Sequence, residues 1–261
     1  MLNSTHAIAS EKQFVVQFVC TSEKGPVRDR NEDSLTVVNY SDQGVPEKGT
    51  LLVVADGMGG MEAGEHASAM VTSLLPWIYL ENPNPNVQEC LAESMVEMNR
   101  LVYEEGRRTY GKKGIGTTAV AAVIIGSTLV VVNVGDSRAY LFRNGTLQMV
   151  SRDHAMDSMY FNPFSPGVRN LSHVLTQAIG PQRNIQPHLY SGDIAAGDTL
   201  VLCSDGLTSV VSDMEIQNTL DTTDFDQVVV RLIHQAGTNH SEDNISVVAA
   251  RVVVPQKRCL D

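Results

Sequence analysis

Thr117-Thr118-Ala119-Val120-Ala121-Ala122-Val123-Ile124-Ile125-Gly126-Ser127-Thr128-Leu129-Val130-Val131-Val132-Asn133-Val134 is two apolar runs about a Gly-Ser break. Each run is short and rich in β-branched residues, which favours a pair of buried strands over a helix. Residues 138–142 and 146–150 repeat the pattern around Asn144-Gly145, a dipeptide suited to tight hairpin turns. The spacing predicts an antiparallel meander over residues 117–150. Working outward, strands are expected at residues 14–20, 34–38 and 50–55 on one side, and near 187–193, 199–203 and 244–254 on the other. Helical spacing runs from Glu62 to about Leu75 and from Val87 to about Tyr110, with Pro83 and Pro85 between them, and recurs near 213–220 and 224–237. Strands in two groups, with helices between, predict an α+β fold of two antiparallel sheets flanked by helices, because each sheet needs its outer apolar face covered.

A chain of 261 residues with 43% hydrophobic content can bury a full core, and one domain over residues 1–261 is expected. Its formal net charge of -11, from 30 acidic and 19 basic residues, opposes attraction to phosphodiester backbones, so nucleic acid is not an expected partner. Cys20, Cys90, Cys203 and Cys259 are widely spaced with no CxxC, which predicts neither a disulfide framework nor a zinc site. No basic segment followed by a long apolar stretch opens the chain, and no apolar run nears the roughly 20 residues that span a bilayer. A cytoplasmic protein without membrane insertion is expected.

Four acidic groups punctuate the pattern: Asn31-Glu32-Asp33, Asp56-Gly57, Asp205-Gly206 and Asp243-Asn244. The run Thr50–Ala55 ends on Asp56, Thr199–Ser204 ends on Asp205, and Asp243 precedes Ile245–Val248, so each carboxylate sits where a buried strand surfaces. Singly, such residues are turn formers or helix caps. Gathered together they repel one another and resist burial, which calls for compensating cations with a taste for oxygen. The loop Gly57-Met58-Gly59-Gly60 lacks the lysine and spacing of a nucleotide P-loop and reads as a structural turn.

In order along the chain stand Gly25-Pro26-Val27-Arg28-Asp29-Arg30-Asn31-Glu32-Asp33, Ala55-Asp56-Gly57-Met58-Gly59-Gly60, Gly116-Thr117-Thr118-Ala119, Asn133-Val134-Gly135-Asp136-Ser137-Arg138, Asp153-His154, Ser204-Asp205-Gly206-Leu207 and Asp243-Asn244-Ile245-Ser246. This series resembles the bacterial form of the metal-dependent serine/threonine protein phosphatases of the PP2C family. The resemblance implies a four-layer α-β-β-α sandwich that hydrolyses phosphoserine and phosphothreonine on signalling proteins, as a monomer. It implies that Asp33, Asp56, Asp205 and Asp243, with the Gly57 carbonyl, hold two Mn²⁺ or Mg²⁺ ions sharing a hydroxide that attacks phosphorus. Glu32 would orient water, Arg28 would grip the phosphate through its planar fork, and Asp136 would serve a third, weaker metal site. Met58 stands where animal relatives carry histidine, so a water would have to protonate the leaving alcohol. The segment at about 155–173, with Pro163, Pro166 and Gly167 and little periodicity, departs from the bacterial pattern and reads as a substrate-selecting lid.

Overall fold

A computed structural model describes residues 14–58, 62–111, 114–155 and 174–255. The expected lid is therefore outside the described residues, apart from Ala155. The chain forms β1 (Val15–Glu23), β2 (Asp33–Asn39), β3 (Thr50–Met58), α1 (Glu62–Glu81), α2 (Val87–Thr109), β4 (Gly116–Thr117), β5 (Ala119–Ile125) and β6 (Thr128–Val134). It continues through β7 (Arg138–Arg143), β8 (Thr146–Met149), β9 (His188–Asp193), β10 (Thr199–Cys203), α3 (Asp205–Thr208), α4 (Asp213–Thr222), α5 (Val228–Thr238) and β11 (Ile245–Val253). One sheet has the order β1-β11-β10-β7-β8; the other has β2-β3-β5-β6-β9, with β4 added to β3.

The central strands are apolar at nearly every position because both of their faces are covered. On β3, Leu51, Val53 and Ala55 pack with Val71 and Leu75 of α1 and Met95 and Met98 of α2. Leu52 and Val54 point the other way, into a second cluster with Leu200, Leu202 and Val248 of the facing sheet. A third cluster joins Val201 and Val247 to Ile216 of α4 and Leu232 of α5. The three clusters make the α-β-β-α layering. Each fully buried Leu, Val or Met contributes about 1.5–3 kcal/mol relative to exposure, so the layers need no further fastening. Local signals agree: Asn86 caps α2 through its side chain, and Ser212 and Glu215 form a capping box on α4.

Two expectations are corrected. The meander over residues 117–150 is divided between sheets: β5–β6 is a hairpin of one sheet and β7–β8 of the other, the chain crossing at Gly135-Asp136-Ser137. With both faces of these strands buried, no polar alternation marks which sheet a strand joins. Helix α1 runs past Leu75 and through Pro76 to Glu81. Proline cannot return a hydrogen bond to the preceding turn, but Tyr79 is 1% exposed in the core and the Tyr40 hydroxyl donates to the Pro76 carbonyl at 2.7 Å. Those contacts offset the missing bond.

Candidate metal centre

The antiparallel register of β2 and β3 sets Asp33 directly opposite Asp56. Asp205 opens α3 at the end of β10, Asp243 lies just before β11, and Asp136 occupies the crossing between sheets. Five carboxylates from five chain segments thus collect at one edge of the sandwich. Arg28, Glu32, Asp56, Gly57, Asp136, Asp205 and Asp243 line a cavity of 260 Å³, shared with Asn244 and Thr118. Asp33 is packed behind it, with 8% of its surface exposed.

Hydroxyls, backbone groups and, at Asp243, one guanidinium fix three of these aspartates. The Ser204 hydroxyl donates to Asp33 Oδ2 at 2.7 Å and accepts the Ser246 N–H at 2.9 Å. Asp33 Oδ1 is buried with no hydrogen-bond partner among the described residues. The backbone of Asp56 is pinned by Thr118, whose Oγ1 accepts its N–H at 3.1 Å, and by the Thr117 hydroxyl, which donates to its carbonyl at 2.8 Å. Asp243 Oδ1 accepts the Asn244 N–H at 2.8 Å, while Oδ2 accepts from Arg28 at 2.6 Å. Gly64, in the first turns of α1, leaves room for Glu32: a Cβ there would collide with Glu32 Oε2. At the sheet crossing Gly135 has φ +105°, and a Cβ would strike Thr118. His154 clamps this turn, its N–H donating to the Gly135 carbonyl at 2.9 Å and its Nδ1 accepting the Gly135 N–H at 3.2 Å.

The crowding is written into the acidities. Burial pushes the Asp33 carboxyl up to about 6, with Asp205 and Asp243 adding repulsion against the lowering effect of Ser204 and Ser246. Burial lifts Asp56 well above the usual carboxylate range, and Asp33 and Asp205 lift it further. Asp136 is raised to about 6, by burial first and then by Asp205. Such a set is stable as carboxylates only beside positive charge.

Divalent ions fit these residues. The donors are carboxylate and carbonyl oxygens, which suit hard cations, and Asp33 Oδ1 is an orphaned acceptor. Among the described residues no three acidic, histidine or cysteine side chains already close into a metal cage. The carboxylates surround an open cavity, which leaves space for the several waters that ions of the Mg²⁺ type keep.

All eight residues expected from the sequence meet at this edge. Ser204, Asn244, Thr118 and Gly64 were not singled out individually, and only Gly64, a glycine inside a helical pattern, carried a signal of close backbone approach. Arg28 pairs with Asp243, not with its neighbour Asp29. Cys203 is a buried strand residue, and no helix among the described residues is long and apolar enough to cross a membrane.

Comparison with known proteins gives a consistent picture. The family description "Protein phosphatase 2C" matches residues 20–159. The serine/threonine phosphatase stp of Listeria welshimeri is 30% identical over 246 residues, covering 90% of this chain and 96% of that protein. The serine/threonine protein phosphatase PstP of Mycobacterium tuberculosis is 31% identical over 245 residues, covering 92% of this chain and 46% of the longer relative. A crystal structure of the PstP catalytic domain in complex with two manganese ions aligns with a TM-score of 0.77 at 31% identity, covering 92% of this chain and all of that one.

Proposed function

This chain belongs to the protein phosphatase 2C family of serine/threonine phosphatases, and from that premise we propose that it hydrolyses phosphoserine and phosphothreonine on proteins by direct, metal-dependent attack of water. The observation that carries the reading is the convergence of Asp33, Asp56, Asp136, Asp205 and Asp243 on one cavity edge, with the Arg28 guanidinium at its mouth. Two divalent ions held there by Asp33, Asp56, Asp205, Asp243 and the Gly57 carbonyl would lower the pKa of a shared water and supply the nucleophile.

The chain's own groups do the rest. Ser204 fixes one oxygen of Asp33 and leaves the other for a cation. Thr117 and Thr118 hold the backbone at Asp56, so the carboxylate and the Gly57 carbonyl keep their places. Glu32 orients water at the rim, and Asp136 serves a weaker cation site. Arg28 offers a planar fork to the phosphate, stabilising charge that grows during transfer. One guanidinium nitrogen of Arg28 donates to Asp243 Oδ2, which keeps the phosphate-binding fork beside the carboxylates that would hold the cations. The residues work as one phosphatase domain, and the partner is a phosphorylated protein.

The test is turnover of a phosphopeptide panel with Mn²⁺ or Mg²⁺, with EDTA, and with Asp205→Asn. Cation-dependent release of phosphate, abolished by EDTA and by the substitution, is expected. Equal turnover in all conditions would sink the reading.

A further inference from the structure

Nine residues, 24–32, join β1 to β2 and carry both Arg28 and Glu32, yet they form no helix or strand. Their shape has to be set from outside. A single buried side chain, Asn244, 4% exposed, supplies much of that support. Its Nδ2 donates to the Lys24 carbonyl at 2.7 Å and to the Arg30 carbonyl at 2.9 Å, and its Oδ1 accepts the Glu32 N–H at 2.8 Å. The amide thus holds the loop at both ends and again two residues beyond Arg28, using both of its donors. Its own backbone N–H donates to Asp243 Oδ1. The loop also presses on Asp243: Gly25 has φ +74°, and a Cβ there would collide with the Asp243 carbonyl.

Arg28 itself is exposed, with 51% of its side chain accessible and its guanidinium anchored on Asp243. A long exposed side chain loses reach and orientation when its backbone shifts, and displacements near 1 Å can cost about a hundredfold in rate. On the phosphatase reading, we propose that Asn244 is a positioning residue that presents Arg28 to the substrate phosphate. An aspartate would not replace it. Asn244→Asp keeps the size and the acceptor for Glu32 but loses the donors to Lys24 and Arg30, and turns a negative charge on two carbonyls.

The plain alternative is that Asn244 only fastens the loop for folding. The two roles separate on phosphate, because substitutions of the Asn244 side chain keep the backbone N–H that holds the cation ligand Asp243. The full chain, loaded with Mn²⁺, is assayed on a small aryl phosphate with inorganic phosphate as competitive inhibitor, as the unmodified protein, Asn244→Ala, Asn244→Asp, Arg28→Ala and Arg28→Ala/Asn244→Ala. Mn²⁺ titration calorimetry and thermal melts run alongside.

The expected result is a rise of about tenfold in KM and in the phosphate inhibition constant for both Asn244 variants, with Mn²⁺ affinity close to the unmodified value. The double variant should bind phosphate no worse than Arg28→Ala alone, since the asparagine acts through the arginine. Additive losses in the double variant, unchanged phosphate inhibition in folded single variants, or a lost melting transition in both Asn244 variants would each overturn the positioning role. No cation-dependent turnover in the unmodified chain would instead defeat the phosphatase reading itself.

Discussion

Strand β10 has an aspartate just beyond each end, and the two are housed in opposite ways. Asp198 is 4% exposed and accepts from Arg143 Nε and Nη2 and from the Ala195 N–H, while Arg143 also donates to the Asp193 carbonyl. Asp205, a strand's length away, is pressed towards Asp33, Asp56 and Asp136 and helps to raise the pKa of all three. One end of the strand places a carboxylate in a fork of donors and gains a fixed corner. The other end gathers like charges, at a cost in the metal-free state that a structural site would not carry. An acidic residue at a strand end is therefore informative through its partners: a compensated aspartate builds the fold, and a crowded one waits for a cation.

The contrast is broken if the two ends respond alike to substitution. Asp205→Asn should lower turnover by a hundredfold or more, on the order of the loss of a group acting directly on transition-state charge, while the chain keeps a cooperative melt. Asp56→Asn should match it. Asp198→Ala should do the reverse, costing about 1–3 kcal/mol of stability through a lost charge-assisted network, with turnover per folded molecule within about twofold. Circular-dichroism melts paired with phosphopeptide assays on the three variants check this.

A pH series sharpens the contrast. Asp33 and Asp136 are raised from 3.8 to about 6 in the folded chain. The folded state then binds protons more readily than the unfolded one, so their contribution is fully present below about pH 4 and is lost as pH rises through about 6. Metal-free protein should gain on the order of 2 kcal/mol between pH 7 and pH 5. Saturating Mn²⁺ should flatten or reverse that trend, because cations hold the carboxylates ionised. Urea melts at each pH, with and without Mn²⁺, give the slope; a metal-free stability that falls over this range would contradict the crowding.

The smallest effect concerns the arginine. A role confined to phosphate would leave cation binding unchanged in Arg28→Ala, but the contact with Asp243 makes the guanidinium a competitor. The pair is half exposed, so the gain is modest: Mn²⁺ affinity should tighten by less than about fivefold while phosphate inhibition weakens. Calorimetry resolves the two directions.

Much of this was legible in the sequence because burial and chemistry coincide at strand ends. The run Thr50–Ala55 ending on Asp56, and Thr199–Ser204 ending on Asp205, announced both the strands and the edge where the carboxylates gather. Partition of the meander was hidden, since Ala119–Ile125 and Arg138–Phe142 are covered on both faces and neither shows the alternation that identifies a sheet's inner side. The passage of α1 through Pro76 was hidden as well, because local propensity yields there to the burial of Tyr79. Asn244 reads in sequence as an ordinary turn residue beside Asp243; its work lies in bonds to Lys24, Arg30 and Glu32, more than two hundred residues away.

The central claim is that the carboxylates at the Asp205 end are kept crowded for divalent cations, and melting temperature tests it without any substrate. Melts of the unmodified chain and Asp205→Asn are compared in EDTA and across a Mn²⁺ titration. The unmodified chain should rise by about 5–10 °C near a hundredfold excess over its dissociation constant. Asp205→Asn should melt at least as high as the unmodified chain in EDTA, having shed a repelling charge, and should gain little from Mn²⁺. Equal Mn²⁺ shifts in both proteins, or none in the unmodified chain, would contradict the claim.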